Sequence, residues 1–110
     1  MFSPEMKKGS IELMILSLLE GEPRHGYELG KLIEARSEGR LTFQVSTLYP
    51  VLYRMEDRGW IEGKWVEREG QRDRKYYRLT GKGQKALATK QEAWLAFAES
   101  VNQVLGLTEA

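Results

Sequence analysis

An α+β chain, mainly α-helical with one small β-hairpin, is predicted by three observations. Apolar residues recur at helical spacing in several separate stretches. Two β-rich runs, residues 60–66 (WIEGKWV) and 76–79 (YYRL), flank a polar loop that contains Gly70. Finally, about two dozen residues after Thr80 keep a helical pattern, a rod of roughly 36 Å that is too long for so small a core to cover.

The first strong helix spans residues 10–20, with Ser10 as its N-cap. Ile11, Leu13, Met14, Ile15, Leu16, Leu18 and Leu19 make it apolar nearly all round, so it belongs at the centre of the fold. Lys7 and Lys8 before this run imitate a targeting signal. Glu12 interrupts the apolar stretch, no small-x-small cleavage site follows, and the run is far short of a membrane span. A buried helix in a cytoplasmic protein with no membrane contact is the expectation. Gly21-Glu22-Pro23 then breaks the chain, and a second helix over 25–37 turns Tyr27, Leu29, Leu32, Ile33 and Ala35 inward. His25 opens it, as a cap or as a buried hydrogen-bonding group.

Residues 45–60 (VSTLYPVLYRMEDRGW) form the stretch around which the rest is organised. Ser46 or Thr47 can cap the helix, Pro50 falls in its first turn, and Gly59 stops it as an αL residue. Leu48, Leu52 and Met55 make the buried stripe. The opposite face carries Ser46, Thr47, Tyr49, Pro50, Tyr53 and Arg54, side chains suited to phosphates, base edges and thymine methyls. Two helices joined by the short connection 39–44, the second displaying such residues, make a helix-turn-helix. Tyr49 and Tyr53 have a duller alternative, burial against the hairpin, and Arg54 and Arg58 can pair with Glu56 or Asp57.

The hairpin sharpens this reading. From 64 to 78, Lys64, Arg68, Arg72, Arg74, Lys75 and Arg78 stand against Glu67, Glu69 and Asp73, a local excess of three positive charges in a chain whose net charge is +1. Beside a helix-turn-helix, that loop becomes a wing able to reach double-stranded DNA. Trp60 and Trp65 are expected to pack the wing onto the helices. In the last helix, Leu87, Trp94 and Val101 are seven apart, Ala98 and Leu105 repeat the interval, and Phe97 lies beside them. Such an apolar seam predicts a two-fold homodimer. The chain thus divides into a DNA-binding part, residues 1–79, and a dimerisation helix, residues 80–110.

The composition excludes other classes. With no cysteine and one histidine among 110 residues, neither a disulfide framework nor a metal centre is expected, and no cofactor is implied. No nucleophile–base pair and no glycine-rich phosphate loop point to an enzyme. Near-neutral charge leaves a winged-helix module for protein–protein docking as the alternative to DNA binding.

HGYEL (25–29), STLYPVLYRMEDRGWIE (46–62) and RKYYRLTGKG (74–83), in this order, resemble the PadR-like transcriptional regulators. The likeness runs from about residue 9 to 105 and is to the smaller subgroup, in which one helix beyond the wing mediates dimerisation. It implies a repressor that binds a pseudo-palindromic operator. Thr47, Tyr49 and Pro50 then lie where the family's recognition helix meets DNA, and Arg72, Arg74 and Lys75 lie in its wing. Trp94 matches an aromatic position at the dimer centre of some short members, beside a cavity that takes flat hydrophobic molecules; a small planar effector is the corresponding expectation, and dimer core is the duller one. The wing departs from many relatives in its acidic Asp73.

Overall fold

The computed structural model describes residues 2–107. The order of elements is α1 (Pro4–Lys8), α2 (Ile11–Leu18), β1 (Arg24–His25), α3 (Gly26–Arg36), α4 (Val45–Asp57), β2 (Ile61–Val66), β3 (Arg74–Leu79) and α5 (Gly81–Leu105). The α+β class, the hairpin and the long final helix are as the sequence predicts. Two elements were not legible in it. One is the five-residue α1, capped by Ser3, whose hydroxyl accepts the Met6 amide at 3.3 Å. The other is the two-residue β1, which pairs antiparallel with β3 (Arg24 with Tyr77, His25 with Tyr76). It completes a sheet of order β1-β3-β2.

The core lies where α2 meets the other helices and the sheet. Ile15 and Leu16 from α2, Leu29 from α3, Leu48, Leu52 and Met55 from α4, and Ile61 and Tyr77 from the sheet are all buried. Each aliphatic side chain taken fully from water stabilises by about 2 kcal/mol before entropy is counted. The α4 stripe is therefore the one predicted. On α3, Leu29 and Ile33 point inward, but Tyr27 and Ala35 are exposed, because the buried arc is narrower than the apolar residues alone suggest.

The helix ends follow local rules with some corrections. Gln44, not Ser46 or Thr47, occupies the α4 N-cap and makes no side-chain bond to the first turn. Pro50 consequently falls in the second turn, where its missing N–H leaves the Ser46 carbonyl without a helical donor. Gly59 ends α4 at φ 77°, a conformation that favours glycine. Its amide bonds the Glu56 carbonyl, and the Trp60 amide bonds the Met55 carbonyl, both at 3.0 Å, closing the helix in a Schellman motif. Ser10 does occupy the α2 N-cap, yet its hydroxyl donates backward to the Lys7 carbonyl at 3.3 Å and ties α1 to α2.

Thr80 caps α5 by accepting the Gly83 amide at 3.0 Å while donating to the Gly59 carbonyl at 2.6 Å. Gly83 permits the close approach of α5: a Cβ there would lie 1.9 Å from the Trp60 carbonyl oxygen. Leu87, placed in the dimer seam by its heptad spacing, is instead 1% exposed and belongs to this chain's own core. Beyond Lys90 the helix leaves the body, giving a molecule 58 × 30 × 21 Å.

Candidate nucleic-acid interface

Along the outer face of α4, Val45, Ser46, Thr47, Pro50, Tyr53 and Arg54 are exposed. No side chain caps the first turn, and the Thr47 amide bonds the Gln44 carbonyl at 2.9 Å, which leaves the Val45 and Ser46 amides at the helix start. Tyr49 is half-buried, with its ring resting against Gly26 at the start of α3 and 6.1 Å, centroid to centroid, from Tyr53. The ring packs on α3 rather than against the hairpin, and the side chain stays partly exposed.

The wing presents less free charge than its composition suggests. Arg72 is exposed at the tip, and the Arg68 guanidinium spans the loop by donating to the Arg72 carbonyl at 2.8 Å. Strand β3 begins at Arg74, so Arg74 and Lys75 are strand residues rather than loop residues. The Lys75 ammonium donates to Glu56 of α4 at 2.9 Å and sits over the rings of Tyr53 and Tyr77. It locks the wing to α4 instead of standing free for a phosphate. Arg78 pairs with Glu62 across the hairpin. Trp60 is half-buried between the Arg58 and Lys90 cations, while Trp65, expected to pack inward, is 65% exposed. Arg58 pairs with Glu12 at 2.8 Å rather than with Glu56 or Asp57; Lys90 reaches the same carboxylate at 3.3 Å, joining α2, α4 and α5.

His25 is the joint between wing and helices. Its Nδ1 accepts the Glu28 amide at 3.2 Å, capping α3. Nε2 lies 3.1 Å from the Arg74 guanidinium, and the ring meets Tyr76 edge-on. Burial, then the Arg74 charge, hold the imidazole pKa below its ordinary value. Tyr77 is buried with no partner for its hydroxyl among the described residues, and burial followed by the Glu56 charge pushes its ionisation up. The sole histidine was legible as a cap; its contact with a wing arginine 49 residues away was not.

On α5, Trp94, Phe97, Val101 and Leu105 are exposed and Ala98 is half-buried. Trp94 and Phe97 line a groove of about 590 Å³ with Met6 and Leu13 of the first two helices. Among the described residues, no group of three histidine, cysteine or carboxylate side chains can hold a metal, and no helix is long and apolar enough to cross a membrane.

The family model for the transcriptional regulator PadR-like family matches residues 15–89. The chain belongs to the PadR-like family. A transcriptional regulator structure from Clostridium thermocellum is similar at TM-score 0.86 and 30% identity, covering 94% of this chain and 97% of that one. A PadR family regulator from Eggerthella lenta has TM-score 0.82 at 29% identity, over 94% and 88% of the two chains. The Escherichia coli transcriptional regulator YqjI is 33% identical over 87 residues, 79% of this chain; the match spans only 36% of that protein's length. As a PadR-family transcriptional regulator with a winged-helix fold, the chain falls in a generally non-enzymatic class.

Proposed function

We propose that this PadR-family regulator is a cytoplasmic repressor that grips a pseudo-palindromic operator as a homodimer and lets go when a small planar hydrophobic effector binds between the protomers. The observation that carries the reading is the outer face of α4. It exposes Ser46, Thr47, Pro50, Tyr53 and Arg54 beside an uncapped first turn. Those groups suit phosphates and the major groove, with Tyr49 contributing its accessible edge. Arg72, exposed at the wing tip, reaches a neighbouring backbone, and Arg74 joins it by turning away from His25. Lys75 acts by holding the wing against α4 rather than by direct contact.

Residues 80–110 supply the dimerisation element and residues 1–79 the reading head. Support comes from Trp94, Phe97, Val101 and Leu105, which a monomer would leave in water along one helix. A two-fold axis through those helices sets the two α4 helices against half-sites about 34 Å apart. An effector seated between the Trp94 and Phe97 rings acts only by favouring a spacing of the heads that no longer matches this interval.

Fluorescence anisotropy on a duplex carrying an inverted repeat from upstream of the gene tests the reading. Wild-type affinity is expected to fall steeply as salt rises, and Arg54→Ala to lower the slope by about 0.9 for each lost phosphate contact. A protein that binds no duplex at low salt is instead a protein–protein docking module.

A further inference from the structure

Helix α1 lies outside both the helix-turn-helix and the wing. It buries none of its residues, so its place is not explained by the core. It is nevertheless held: Ser3 caps it, Ser10 donates to its last carbonyls, and the Lys7 ammonium lies 5.2 Å from the centre of the Phe43 ring. The result is a groove of about 670 Å³ between α1 and the start of α4. Lys7 and Lys8 stand on one wall, and Ser46, Thr47 and Arg54 on the other.

No carboxylate lines this groove, although the chain has 16 acidic residues. None of Lys7, Lys8 and Arg54 has an ion-pair partner among the described residues. In the wing, by comparison, Lys75 and Arg78 are paired, with Glu56 and Glu62. Three cations without ion pairs around the Ser46 and Thr47 hydroxyls make an anion cradle beside the outer face of α4.

We infer that α1 is a phosphate clamp: Lys7 and Lys8, with Arg54 opposite, hold the DNA backbone flanking the groove that α4 enters. This rests on the DNA-binding reading of α4 and deepens it. The clamp is blind to sequence, because ammonium groups on phosphates carry no base information. It places much of the salt-dependent affinity on a segment outside the helix-turn-helix and the wing.

The test uses the full chain and two labelled duplexes of unrelated sequence, titrated over a range of potassium chloride. Removing both lysines (Lys7→Gln with Lys8→Gln) is expected to weaken binding to both duplexes alike and to lower the salt slope by about 2 per protomer. Lys7→Arg with Lys8→Arg is expected to keep the slope. Lys8 also borders the groove holding Trp94, so Lys7→Gln alone, which does not touch that groove, is measured beside it and is expected to lower the slope by about 1. An unchanged slope in both glutamine variants, with Arg54→Ala still lowering it, overturns the clamp and leaves α4 as the reading head. Wild-type protein that binds neither duplex overturns the DNA reading and the clamp together.

Discussion

Helix α5 runs through two environments that ask opposite things of the same kind of side chain. In its first turns, Gly83 and Leu87 are buried against the body, close under Trp60. In its last turns, Trp94, Phe97, Val104 and Leu105 are at least half-exposed. Nothing local separates the halves: the helix is continuous from Gly81 to Leu105 and ends in an αL glycine, Gly106, at φ 72°. The difference is what covers the apolar residues. The first half is a stability element of one chain; the second is proposed to be a contact between two.

The largest expected effect breaks the first half. Leu87→Ala removes a side chain that is 1% exposed and should cost about 3 kcal/mol of unfolding free energy by urea titration. It should do so at every protein concentration. Trp94→Ala should leave the body folded and appear in association instead. Truncating a central aromatic anchor costs about 2 kcal/mol, roughly thirty-fold in the dimer Kd by sedimentation equilibrium. A Trp94→Ala chain that unfolds like Leu87→Ala, without weaker association, would erase the distinction.

The smallest effect concerns the joint at His25, which lies in the body and serves as its control. Burial and Arg74 hold the imidazole pKa down, so as pH falls the unfolded chain takes up that proton first. The stability that the neutral ring provides is full above about pH 6.5 and is lost below it, as pH approaches the folded value. His25→Asn keeps a capping acceptor and removes the titration. The fall in Tm between about pH 7 and about pH 5 should therefore shrink in the variant, and equal slopes would show that the ring does not carry the dependence.

How much of this the sequence carried depends on the range of the physics involved. Leu48, Leu52 and Met55, Gly59 and the long helix after Thr80 are local matters of periodicity and capping, and all were legible. Where the forces are long-range, the reading failed in particular ways. Heptad spacing put Leu87 in a seam, but spacing cannot say whose core a leucine fills. Charge counting put Lys75 in the wing's free surface, but Glu56 on another element takes that charge. Strand β1 exists only because β3 pairs with it, and α1 is too short to show a period. The outer face of α4 was legible as a set of residue types; the lysines of α1 beside it were not, because only the fold brings them there.

The central claim is that a second copy covers the far half of α5. Sedimentation velocity at micromolar concentration measures it most directly. A species of about twice the 12.7 kDa chain mass, falling to the single-chain mass in Phe97→Glu while far-UV circular dichroism is unchanged, is the predicted result. A wild-type chain that sediments as a stable monomer contradicts it, and takes with it the paired half-sites and the effector cavity between protomers.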